Sequence, residues 1–228
     1  MLHSFFGRVG VLVVGLGLLA VGRAETGPER AARLLEALGG REAWAKVQFV
    51  HVEAVHDQLN IKEPFTNRIW NDFSQPRVRF EAKNDALDSR RVIADGKGVH
   101  LRNGTRRDLT AEEVANETKW WEANIYRTLH RLAIGDPDLT PKAVGDYRLE
   151  IFLPDGRRLN WFVLNQRGEP HVFSTWDSEE GGGMGPPASN GKVKYPAWGA
   201  MPDGSWRYVI KNFVTADAVP DDVSFREP

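Results

Sequence analysis

The 228-residue chain contains no cysteine, which removes disulfides, thiolate zinc sites and cysteine nucleophiles together. It also has no excess of one charge: 30 Lys and Arg face 31 Asp and Glu. A nucleic-acid binder needs a basic surface to displace counterions, so that class is excluded as a partner. The chemical signatures are equally thin. No HExxH, no G-x-S-x-G and no convergent set of three ligands stands in the chain, so neither catalytic residues, a metal nor a cofactor is expected. Gly185 to Lys192 resembles a phosphate loop only loosely: its spacing is one residue too long, and Val193 replaces the hydroxyl that would hold Mg²⁺.

What is present is an apolar start and a rich set of aromatics. Val9 to Gly22 is an uncharged run too short to span a bilayer, which takes about 20 residues. With Arg8 before it and Gly22-Arg23-Ala24 after it, residues 1–24 read as a cleaved secretory signal, placing the chain in the periplasm or outside the cell. Residues 25–228 then form one domain, since no repeat or linker divides them. The eight Trp point to a large aromatic core or an apolar cleft.

Thr26-Gly-Pro-Glu29 has capping-box spacing, and Ala31, Leu34, Leu35 and Leu38 follow at helical spacing before Gly39-Gly40. Trp44 lies in a short second helical segment. From Phe49 the period becomes two, with Val50, Val52 and Ala54 on one face. Further strands alternate through Val78 and Phe80, and Asp95-Gly96 and Asn103-Gly104 mark hairpin turns. Thr110-Ala-Glu-Glu113 is a second capping box. The stripe Val114, Thr118, Trp121, Ile125, Leu129 and Leu132 predicts one long amphipathic helix over 110–134. Strands resume with Leu149 and Ile151, then Leu159 and Trp161, then Val172 and Trp176, and last Trp206, Tyr208 and Ile210. The Gly/Pro-rich stretch 178–190 reads as a flexible surface loop.

The fold class is therefore α+β: a strongly curved antiparallel sheet or incomplete β-barrel, covered by an N-terminal helix and a long central amphipathic helix. Val78, Phe80, Leu149, Ile151, Leu159, Trp161, Trp176 and Tyr208 would line its concave side, with Trp121, Ile125 and Leu129 as a cover. Such an arrangement encloses either a filled core or an apolar pocket, and periodicity cannot separate the two. Rigid aromatics leave gaps that alkyl chains fill, which favours the pocket.

The order of elements resembles the periplasmic lipoprotein-localisation factor superfamily. The likeness rests on Leu35-Glu-Ala-Leu-Gly-Gly40, Trp44, Arg77-Val-Arg-Phe-Glu81, Tyr147-Arg-Leu-Glu-Ile151, Leu159-Asn-Trp-Phe-Val163 and Gly168-Glu-Pro170. It implies an incomplete barrel whose mouth is plugged by helices, and non-enzymatic binding of lipids or acylated proteins by a monomer in transient contact with membranes or lipoproteins. Two alternatives stand beside it. One is an envelope interaction protein with a filled interior; the other is a hydrolase using His56-Asp57 or His171.

Overall fold

The computed structural model describes residues 23–176 and 178–226. Nearly all of the expected signal segment, residues 1–22, lies outside them. Among the described residues, no helix is long and apolar enough to cross a membrane.

Both capping boxes form. Thr26 heads α1 (Gly27–Ala37), with its backbone N–H donating to Glu29 at 2.7 Å and the Glu29 N–H returning to its hydroxyl. α2 (Arg41–Ala45) follows, its Trp44 fully buried and its indole N–H donating to Leu38 O at 2.9 Å. The sheet then begins with β1 (Phe49–Gln58), β2 (Phe65–Asp72), β3 (Arg77–Lys83), β4 (Asp88–Ala94), β5 (Lys97–Arg102) and β6 (Thr105–Asp108). The two expected hairpins carry left-handed residues at Asp95-Gly96 and Asn103-Gly104, as turns of this sequence require.

The helical stretch departs from expectation. It is two helices, α3 (Ala111–Glu122) and α4 (Ile125–Ile134), broken at Ala123-Asn124. Asn124 leaves helical geometry and caps α4, its side chain accepting from the N–H groups of Tyr126 and Arg127. The apolar stripe runs through the break, so periodicity does not show it; the cap residue does.

After α4 come β7 (Thr140–Val144), β8 (Arg148–Phe152), β9 (Arg158–Leu164), β10 (Pro170–Thr175), β11 (Gly182–Met184), β12 (Pro187–Asn190), β13 (Val193–Pro196), β14 (Trp198–Ala200) and β15 (Trp206–Ala216). Thirteen strands make one antiparallel sheet, ordered β6-β5-β4-β3-β2-β1-β15-β14-β11-β10-β9-β8-β7, which does not close on itself; β12 and β13 form a separate hairpin. The stretch expected to be a surface loop thus supplies β11 to the main sheet. Its glycines hide the strand from propensity while permitting close approach. A Cβ on Gly181 would fall 2.4 Å from Val172 and 2.8 Å from the Trp161 ring.

The curvature follows from contacts. α4 touches β9 through Thr128, whose hydroxyl accepts from Asn160 at 2.6 Å, and β15 through Tyr126, whose ring stands 4.9 Å from Phe213. These strands are four spacings apart, about 19 Å on a flat sheet, and a helix is only about 10 Å across. The sheet therefore curls around α4.

Candidate functional site

The concave face has three zones. Beneath α4, α1 and α2 it is solid: Leu129, Leu149, Ile151, Leu159 and Phe162 are all fully buried and belong to one apolar cluster. Beneath α3 a smaller cluster gathers Val78, Ile93 and Val114, with Phe80 packed against it. Between these zones, under the α3–α4 break, lies a cavity of about 470 Å³.

The cavity floor is β1 and β2, through Val52, Ala54, Ile69 and Asn71, with Tyr208 and Trp206 of β15 beside them. Its roof is the helix junction, Trp120 and Ala123 to Tyr126, and its far wall comes from β10, β11 and Trp176. The lining is mainly apolar, and the volume falls in the range of about 300–1,000 Å³ common for small-molecule sites.

Of the residues singled out in the sequence, Ile125, Trp176 and Tyr208 line this cavity. Leu129, Leu149, Ile151 and Leu159 fill the solid zone instead, and Val78 and Phe80 belong to the cluster under α3. Trp121 turns toward the end of β2, its indole N–H donating to Asp72 O at 2.7 Å. Its neighbour Trp120 faces the cavity and meets Phe80 edge-on at 5.4 Å.

Trp161 requires a correction of face. It pairs with Glu150, while Phe162 pairs with Leu149, so the Leu149 face continues through Phe162 and Trp161 points to the convex side. There its ring lies 4.2 Å from the Arg148 guanidinium, and its N–H donates to Ser178 O at 2.8 Å. Arg148 and Arg158 bind both Glu150 and Glu179, strapping the 178–181 segment over that ring.

Sequence reasoning missed the polar wall. His56 is 7% exposed and sits among Phe65, Trp206 and Tyr208, with ring centroids 5.3 to 5.6 Å away. The Trp206 indole, a donor only, gives its proton to His56 Nδ1 at 3.1 Å, so the neutral ring carries its own proton on Nε2. Asn67 stands 3.4 Å from that nitrogen, and an Nε2–H requires the amide oxygen there. Burial pushes the His56 imidazole down to about 4. Burial likewise pushes the Tyr208 hydroxyl up to about 12. The available signal was parity: Asn67 and Asn71 share the β2 face of Ile69.

His56 and Asp57 do not form an acid–base unit. Successive strand residues point to opposite faces, and Asp57 instead pairs with Arg207 at 2.5 Å on the outer side. His171 is exposed and outside the cavity lining. Among the described residues, no group of three or more His, Cys, Asp or Glu is placed to hold a metal ion.

No family model matches the chain, and no curated protein does. Among solved structures, a DUF1329 family protein from Desulfovibrio piger aligns at 9% identity and a TM-score of 0.40, covering 87% of this chain and 93% of that one. An uncharacterized conserved protein from Thermus thermophilus aligns at 12% and 0.34, covering 85% and 94%. LprF from Mycobacterium bovis aligns at 12% and 0.33, covering 90% and 99%.

Proposed function

We propose that the protein is a non-catalytic carrier or binding protein for an apolar or acylated ligand, a lipid or the acyl chain of a modified protein, held in the cavity under the α3–α4 break. One observation carries this reading: a mainly apolar hollow persists beside a cluster whose Leu129, Leu149, Ile151, Leu159 and Phe162 are fully buried. Each methylene buried is worth about 0.8 kcal/mol, so a dodecyl chain gains roughly 9 kcal/mol gross, enough to hold it without covalent chemistry. The reading includes export to the periplasm or beyond, action as a monomer, and transient contact with a membrane or lipoprotein during transfer. Solid packing under α4 favours the interaction-protein alternative for that zone alone, and it leaves the hollow unexplained.

The test uses solvent-extracted protein and the uncharged fluorophore N-phenyl-1-naphthylamine. Saturable enhancement is expected, weakened about tenfold or more by Ala54→Phe, which places a ring in the floor. Melting temperature confirms that the variant is folded. Absence of saturable enhancement in the wild type, or an unaltered curve in the folded variant, overturns the reading.

A further inference from the structure

Two tyrosines line the cavity from different elements, Tyr126 from the start of α4 in the roof and Tyr208 from β15 beside the floor. Aromatic neighbours fix both rings. Tyr126, 7% exposed, lies parallel to Trp44 at 6.2 Å and edge-on to Phe213 at 4.9 Å. Tyr208 is flanked by His56 at 5.4 Å and Trp206 at 4.9 Å. Gly199 stands opposite Tyr208 on β14, where a Cβ would fall 2.8 Å from the hydroxyl oxygen, so that end of the ring rests against bare backbone.

Neither hydroxyl has a hydrogen-bond partner among the described residues. Neither is sealed off: a water-sized molecule can touch each oxygen, which is not so for the fully occluded polar atoms nearby. The Trp206 N–H beside Tyr208 is already spent on His56. Burial keeps both phenols protonated. It raises Tyr126 well above the ordinary tyrosine value, with Tyr208 adding to the effect, and it pushes Tyr208 up to about 12. Both groups therefore stay O–H donors at any physiological pH. Trp120 and Thr175 of the lining carry no hydrogen bond either, but both stand partly in solvent, Trp120 at 36% exposure.

Water can serve such a donor in an unfilled hollow. A ligand that displaces the water must bring an acceptor or leave the donor unpaired. The lining contains neither Lys nor Arg, so a carboxylate placed there would lose its own water without gaining a counter-charge. Resting on the carrier reading above, we infer that the ligand is an uncharged chain bearing a carbonyl, of the acyl-ester class, and that the Tyr126 and Tyr208 hydroxyls donate to that carbonyl. The apolar lining takes the chain, and the two phenols select a chain with such a link over plain hydrocarbon.

The experiment titrates solvent-extracted protein with two uncharged fluorophores. One is the ketone 6-propionyl-2-dimethylaminonaphthalene, whose emission moves to longer wavelength when its carbonyl accepts a hydrogen bond. The other is 1,6-diphenylhexatriene, a hydrocarbon with no acceptor. Tyr126→Phe and Tyr208→Phe should each weaken the ketone about fivefold, the fold-change expected for one net hydrogen bond, and shift its bound emission to shorter wavelength. Hexatriene affinity should change by less than about twofold. The ratio of the two affinities is read within each variant, so a general loss of stability does not mimic the effect, and melting temperature confirms folding. An unchanged ratio and unshifted emission in both variants, or equal weakening of both fluorophores, overturns the carbonyl inference while leaving the cavity reading intact. Failure of both fluorophores to bind the wild type brings down the carrier reading as well.

Discussion

The solid zone under α4 and the hollow seam under the α3–α4 break are built on one continuous sheet, yet they differ in what faces inward. In the first, β8 and β9 present Leu149, Ile151, Phe162 and Leu164, all essentially inaccessible. At the seam, β1 and β2 present Ala54, Asn67, Ile69 and Asn71, a mixture of small and polar side chains that cannot fill the space left by the helix break. Large apolar residues on both partners close a gap. Small and amide residues on one partner, against an interrupted helix on the other, leave it open.

The sharpest way to break this contrast is truncation. Phe162→Ala should cost about 3–5 kcal/mol in denaturant unfolding, because its site cannot collapse. Ile69→Ala, on a wall already bordered by free volume, should cost less than about half as much. Equal losses would mean that the two zones are packed alike.

Acid tests the seam next. The folded His56 titrates near 4 and its unfolded form near 6.5, so the unfolded chain binds the extra proton between those values. Stability is therefore complete above about pH 6.5 and falls as pH drops toward 4, by on the order of 3 kcal/mol for this residue. Burial lowers His51, His100 and His130 as well, so the measurement is a difference: His56→Gln should flatten the slope relative to wild type. An unchanged slope would show that the imidazole is solvated.

The smallest effect concerns the break itself. Asn124→Ala removes the acceptor for the first amides of α4 and should cost about 1 kcal/mol by thermal or denaturant unfolding. It should also alter fluorophore affinity, because the junction is the roof. A stability loss without any change in affinity would separate the roof from the cap.

Much of the framework was legible in the chain. Both capping boxes, the turns at Asp95 and Asn103 and the inward face of β1 follow from local chemistry that tertiary contacts did not override. Three features were concealed, each for a physical reason. The helix break lies inside an uninterrupted apolar stripe, with Asn124 its only mark. β11 is made largely of glycine, which carries no strand preference. β9 is apolar on both faces because the 178–181 strap covers its outside, so alternation could not tell Trp161 from Phe162. The site was only partly visible for a related reason: its Asn67, Asn71 and His56 break the apolar pattern that served as the guide.

The incomplete ring of strands has a consequence for life in a crowded compartment. It ends in two borders, and each is unfriendly to a newcomer. β6 is Thr105-Arg-Arg-Asp108, exposed along its whole length, while β7 offers Pro141, which has no amide to give, beside Lys142. Charge and proline at a border discourage docking by another chain's strand. A sheet that leaves its circle unfinished thus has both flanks guarded by residues ill suited to extending a fibril.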